Sequence, residues 1–261
     1  MPVELSRPLS LAIEQSYAPT QPRHFGAPPA TSRPFAVPGF SGAVATGASC
    51  NCNVITLNPH CNGTHTECVG HLTAQPLDAH KVVPSGLIPA VLLSITPEDA
   101  GDVRETSVPA PQSGDRLITR HNLERAWPRE LPFGPRAVVV RTLPNDAAKR
   151  HRDYTGSTPP YLTLEAAELL VARGIEHLIV DLPSIDRSHD EGYLSAHRIF
   201  FGLPRGSTSL PEATRPTATV TELVFVPEGI HDGPYFLELQ VPAIGGDAVP
   251  SRPLLYRLEP S

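Results

Sequence analysis

Proline constrains this chain more than any other residue: 31 of its 261 positions, spread along the sequence rather than gathered into one tract. Each proline fixes φ and removes a backbone donor, so long unbroken helices and central strands running through these positions are ruled out. What remains is a compact, strand-rich fold with many loops and turn corners. The density is high at the start, where residues 1–42 hold eight prolines. Pro28-Pro29, Pro34 and Pro38 forbid a long helix there, while Phe25, Phe35 and Phe40 argue against a free linker. Residues 1–42 are therefore expected to form an extended arm, draped over the body of residues 43–261 or across a partner subunit.

Within the body, apolar runs alternate with turn signals. Asn53 to Leu57 is a β-branched run that reads as a strand, followed by Asn58-Pro59 and Asn62-Gly63 as turn chemistry. Ala90 to Ile95 reads as a buried strand, Thr119 to Ala126 as a short helix, and Ala137 to Arg141 as a strand. Leu164, Ala167, Leu170 and Val171 recur at helical spacing, with Thr163 as N-cap and Gly174 closing the helix. With the strand from Ile175 to Asp181, this makes one βαβ unit over Val138 to Leu182. Thr219 to Pro227 and Tyr235 to Pro242 alternate as strands. A single α/β domain with a mixed central sheet is expected.

Composition narrows the function. Hydrophobic residues are 40% and charged residues 18%, an ordinary globular balance, and the formal net charge is −6. With a pI near 6.0, the chain lacks the basic field that nucleic acid or an anionic membrane surface requires. No apolar run is long enough to span a bilayer. The first sixteen residues lack the basic start and apolar stretch of a secretory signal, so a cytoplasmic protein with a small-molecule substrate is expected.

Chemistry concentrates in one segment. Cys50, Cys52, Cys61 and Cys68 fall within nineteen positions, interleaved with Asn62-Gly63-Thr64-His65-Thr66-Glu67 and Val69-Gly70-His71. In an extended conformation His65 and Glu67 project to one side, so an imidazole and a carboxylate can share an ion. Imidazole, carboxylate and thiolate together suit zinc first, and manganese or iron where oxygen donors dominate. His60, one position before the motif, is expected to face away. His24 and the remaining scattered histidines read as solvated. Cys50, Cys52 and Cys68 read as packed small hydrophobes, and Cys61 stays open between a buried thiol and a ligand.

These residues resemble the pattern His-x-Gly-Thr-His-x-Asp-x-Pro-x-His of the cyclase family, which includes bacterial kynurenine formamidase and isatin hydrolase. Gly63, Thr64, His65 and His71 match it, with Cys61 at its first His and Glu67 at its Asp. Ser195-Ala-His197-Arg198, Thr221-Glu222-Leu223 and Asp181-Leu-Pro-Ser-Ile-Asp186 resemble later segments of the family. The resemblance implies a swivelling β/β/α fold and a metal-dependent hydrolase of a small amide, lactam or ester. It implies a site for one or two ions, zinc before manganese, with Cys61, His65 and Glu67 near one and Glu67, His197 and Glu222 near the other. It gives His71 the acid/base role and a homo-oligomer, dimer or tetramer, as the assembly.

Three departures stand out. Cys61 replaces an imidazole, Glu67 is one methylene longer than Asp, and Val69 stands where the pattern has its proline. The Pro-, Ser- and Thr-rich stretch 203–216 lengthens the interval between His197 and Glu222 and reads as a lid or interface loop. A non-catalytic metal-binding or redox-sensing protein on the same scaffold is the alternative, with Cys61 and Cys68 answering to oxidation.

Overall fold

The fold is that of a computed structural model, which describes residues 2–259. The N-terminal segment lies along the body as short extended pieces. Strand β1 (Leu9–Ser10) joins the main sheet. β2 (Thr31–Pro34) pairs with β5 (Asn53–Thr56), and β3 (Ala36–Val37) with β4 (Phe40–Ser41), as two small hairpin-like sheets. The run Asn53–Thr56 is thus a strand as its β-branched residues suggest, but it lies outside the main sheet. These pieces leave Phe35, Val37 and Phe40 exposed.

Next come the one-turn helix α1 (Pro59–Asn62), β6 (His65–Cys68), α2 (Ala79–Val82) and β7 (Ile88–Ile95). A small three-stranded sheet contains β8 (Glu98–Asp99), β9 (Arg116–Ile118) and, further along, β11 (Tyr161–Leu162). Between them lie α3 (Arg120–Ala126) and β10 (Ala137–Thr142), and after them α4 (Leu164–Ala172), β12 (His177–Val180) and α5 (Ser195–Phe201). β13 (Thr219–Glu222), β14 (Gly233–Gln240), β15 (Ala248–Pro250) and β16 (Arg252–Tyr256) complete the chain.

Nine strands form one mixed sheet in the order β1-β16-β14-β7-β10-β12-β13-β6-β15. The centre, β7 to β13, is parallel and the flanks are antiparallel. The central strands are nearly continuous apolar runs because both their faces are covered. Val91, Leu93, Val138, Val140, Leu178 and Val180 pack against helices α3, α4 and α5, while Ala90, Leu92, Val139 and Ile179 face a second core inside the curl of the sheet. β10, α4 and β12 form the expected βαβ unit. Thr163 caps α4 by accepting from Ala166 N at 3.1 Å, and Gly174, with φ +74°, ends it. β13 and β14 are not neighbours: β13 continues the parallel run beside β12, whereas β14 crosses to pair with β7 and β16.

The stretch 203–216 is anchored rather than free. Leu203, Leu210 and Ala213 pack into the helix-side core, and Ala74 N donates to Thr208 O at 2.8 Å. Among the described residues, no helix is long and apolar enough to cross a membrane.

Candidate metal centre

The site is built where β6 inserts antiparallel beside β13. Register pairs His65 with Glu222 and Glu67 with Val220, and Val220 belongs to the helix-side core. Alternation therefore puts His65, Glu67 and Glu222 on the face that looks at α5, which supplies His197. On the opposite face the Thr66 and Thr221 hydroxyls bond at 2.8 Å and fix the register. Two non-glycine residues held at positive φ flank these side chains: Leu194 (φ +47°) caps α5, and Leu223 (φ +53°) follows Glu222. Such conformations cost roughly 1–3 kcal/mol each and persist where the surroundings over-determine them.

Each histidine is oriented from behind. His65 Nδ1 lies 2.9 Å from Gly63 O, and His197 Nδ1 lies 2.6 Å from Asp186 Oδ2. Both arrangements place a proton on Nδ1 and aim Nε2 into the site. Asp186 also accepts the backbone N–H groups of Ala196 and His197 at 2.7 and 3.0 Å, so it starts α5 and sets its histidine together. In the Asp181–Asp186 loop, Asp181 points elsewhere, to Lys149 Nζ at 2.7 Å and to Thr142.

Inside, His197 Nε2 lies 2.8 Å from Glu67 Oε1 and 3.5 Å from Glu222 Oε1, and His65 Nε2 lies 3.4 Å from Glu222 Oε2. Ile185 N donates to Glu222 Oε1 at 3.0 Å. Glu67, His197 and Glu222 form one group of mutually close donor atoms, and His60, His65 and Glu67 form a second. A third, His60, His71 and Asp247, lies toward solvent, with the Asp247 side chain 40% exposed.

Charge accounts for the titration. Burial pushes the Glu67 carboxyl up, but the charges of His197 and His71 outweigh it and hold Glu67 well below the usual carboxylate range. Burial and the Glu67 charge push Glu222 up, and hydrogen bonds from His197 and His65 leave it lowered. Burial lowers His197, yet Glu67 and Asp186 hold it well above an ordinary imidazole. Burial likewise opposes protonation of His60, but Asp247 and Glu67 raise it to about 10. Two buried carboxylates thus draw positive charge into this pocket.

His60 corrects its expected orientation. It faces inward, with Nδ1 3.0 Å from Glu67 Oε2 and Nε2 2.8 Å from Asp247 Oδ2. Asn58-Pro59 begins a helical turn rather than a plain loop, and successive residues of a helix diverge by about 100°. That turn presents His60 to β6. Cys61, the ligand position implied by the resemblance, is buried but joins none of the groups of close donor atoms. Burial, and then Glu222, push its thiol pKa up. His71 lies at the mouth, Nδ1 3.2 Å from Asp247 Oδ2, its ring 6.0 Å from that of His197. Asp247, which sequence reasoning missed, follows Gly245-Gly246 and carries no motif of its own.

Three buried polar atoms in this pocket, His65 Nε2, Glu67 Oε1 and His197 Nε2, approach one another and Glu222 without a well-aligned hydrogen bond. Buried polar groups are nearly always well paired, so three converging atoms able to bind a metal, left in poorly aligned contacts, mark a place for a cation. The donor set, imidazole and carboxylate, fits a divalent metal.

The chain belongs to the Cyclase family, whose model matches residues 3–187. Similar solved structures include isatin hydrolase A from Ralstonia solanacearum (17% identity, 97% of this chain and 92% of that one, TM-score 0.60). A predicted metal-dependent hydrolase from Bacillus stearothermophilus aligns over 96% of this chain and 98% of that one, at 17% identity and TM-score 0.57. A novel cyclase aligns at 14% identity over 97% of this chain and 89% of that one, with TM-score 0.61. These likenesses show the fold. No curated protein matches the chain.

Proposed function

We propose that the protein is a metal-dependent hydrolase of small amides, lactams or esters. The observation that carries this reading is the convergence of His65 Nε2, Glu67 Oε1 and His197 Nε2, buried and in poorly aligned contacts, beside Glu222. His65, Glu67, His197 and Glu222, with His60 in place of Cys61, would hold one or two divalent ions, zinc or manganese. A bound ion of this kind acts as a Lewis acid towards a substrate carbonyl and makes water a better acid.

The chain's residues supply the rest. Asp186 and Gly63 O keep His197 and His65 in the tautomer whose Nε2 faces the pocket. His71, which Asp247 holds at the solvent side, would accept a proton from the attacking water and return it to the departing nitrogen or oxygen. Phe201, fully buried with its ring 6.1 Å from that of His197, keeps the α5 side of the site apolar. Exposed Phe35, Val37 and Phe40 support a homo-oligomer. Burial raises the Cys61 thiol and brings Cys68 to about 11, which weighs against thiol-based redox sensing.

The test is elemental analysis and cobalt substitution of protein purified without a metal-affinity tag, followed by a screen of aryl formamides, lactams and esters. Expected are bound divalent metal lost in His65→Ala, a cobalt spectrum without a thiolate charge-transfer band, and turnover abolished in His71→Ala. No metal uptake by the wild type, even from excess zinc or manganese, overturns the reading.

A further inference from the structure

Another buried polar side chain in the same region has no hydrogen-bond partner on either ring nitrogen, and it comes from the N-terminal segment. His24 is only 1% exposed, and neither ring nitrogen has a hydrogen-bond partner. Its place is not accidental. Arg23 N donates to Arg152 O and Tyr154 N to Arg23 O, fixing the segment to the 152–154 loop. His24 N donates to Cys61 O at 3.2 Å, tying it to the turn that carries His60. Gly26 N donates to Thr155 Oγ1 at 3.2 Å. The charged and titratable groups whose fields reach the ring are Glu222, His189, Asp153 and His65, two of them members of the metal centre.

The backbone beside it is strained. Phe25 is a non-glycine residue at φ +52°, its ring centroid 3.7 Å from that of His24. Leu194 and Leu223, which share this conformation, flank α5, the carrier of His197, and Glu222. Left-handed aromatic residues are uncommon and concentrate where function fixes the chain. A buried imidazole with both nitrogens unmet costs stability for which the fold shows no return. A substrate oxygen in the pocket would supply that return.

We propose that His24 is the N-terminal segment's contribution to the active site, donating a ring N–H to a carbonyl oxygen of the bound amide, lactam or ester. The role rests on the hydrolase reading above. It makes His24 a substrate-binding residue and not a metal ligand, since it belongs to none of the groups of close donor atoms. An uncharged donor in this position favours a neutral acyl oxygen over a cationic substrate and links substrate binding to correct seating of residues 23–26.

The experiment compares zinc-loaded wild type, His24→Leu and His24→Gln. Measured are zinc content, melting temperature, and kcat and KM for N-formylaniline, isatin and phenyl acetate. Expected for His24→Leu are wild-type zinc content, a raised melting temperature, and kcat/KM lowered roughly 10- to 100-fold, the scale of one lost hydrogen bond. His24→Gln, which keeps a donor, recovers part of the loss. Wild-type kcat/KM in His24→Leu overturns the inference and leaves the hydrolase reading standing. A lowered melting temperature marks the imidazole as a satisfied structural group and overturns it even if turnover falls. A zinc-loaded wild type that turns over none of the probes removes the hydrolase reading, and this role with it.

Discussion

Replacing Asp186 by Asn should weaken metal binding without touching any residue that would hold the metal. The wild-type carboxylate accepts three bonds, from Ala196 N at 2.7 Å, His197 N at 3.0 Å and His197 Nδ1 at 2.6 Å. Asparagine keeps one accepting oxygen and turns the other into an NH2 group, which must face at least one of those N–H donors. The substitution also removes a negative charge that favours a cation nearby. The imidazole then loses both its fixed orientation and part of its basicity. Outer-shell substitutions of this kind cost roughly 10- to 100-fold in metal affinity, or about 1.4 to 2.7 kcal/mol. The assay is competition for zinc between the protein and a chromogenic chelator at pH 7, with circular dichroism to establish that α5 survives. His197→Ala serves as the reference for complete loss of that imidazole. An Asp186→Asn protein that folds and binds zinc within about twofold of wild type would show that the Asp186–His197 pair does not tune the site.

The other predictions concern the frame. His177 is buried with Nδ1 2.9 Å from Thr219 Oγ1, and burial lowers its pKa from 6.5 to about 4. The unfolded chain therefore takes up this proton first on acidification. Its contribution to stability is complete above pH 6.5 and is lost as pH falls toward 4, by up to about 3 kcal/mol; urea midpoints between pH 7 and 4.5 should fall less steeply in His177→Gln. Lys149 is buried and bonds Asp181, Thr142 O and Thr142 Oγ1. Lys149→Met should destabilise by about 3–5 kcal/mol in chemical denaturation, because it strands the Asp181 carboxylate; a loss under about 1 kcal/mol would refute this. At Gly70 an added Cβ would stand 2.5 Å from Leu77 O and 3.3 Å from Asp247 Cβ. Gly70→Ala should lower both the melting temperature and turnover, by displacing His71 and Asp247 together. A variant with wild-type values for both would show that the loop yields freely.

Much of the helix-side layer was legible because local signals and tertiary packing agree there. The Thr163 cap, the helical spacing to Leu170 and the Gly174 stop marked α4, and the apolar runs of β10 and β12 marked its flanking strands. His65 and Glu67 were legible as a pair because alternation along a strand needs no tertiary information. The missing parts are those that depend on one-residue register or on distant approach. Asn58-Pro59 carried the signal for a helical turn, and reading it as a loop left His60 pointing outward. Asp247 reaches His60 and His71 only because β15 docks on β6, with Ala248 opposite Glu67. Nothing near Asp247 in the sequence announces that pairing. His24 was invisible for the same reason, since its burial comes from the 152–155 loop and Cys61.

The β6–β13 pairing decides whether there is a site at all. Side chains alternate with period 2, so a slip of one residue would send His65 and Glu67 into the other face and bring Thr66 to α5. The pairing is short, four residues on each strand, and β15 adds only three partners. Three features outside the ladder hold it. The Thr66–Thr221 hydroxyl bond fits only the observed register. Thr64 Oγ1 donates to Leu223 O at 2.6 Å while accepting from Ile13 N at 2.8 Å, which joins the N-terminal segment, β6 and the left-handed residue after Glu222 at one hydroxyl. Asp247 at the start of β15 grips His60 and His71 on either side of β6. Segments more than 150 residues apart in sequence therefore meet in a geometry that polar bonds specify and apolar burial alone would not. Two buried carboxylates set side by side work against that geometry unless positive charge lies between them, from protonated His60 and His197 or from a bound cation.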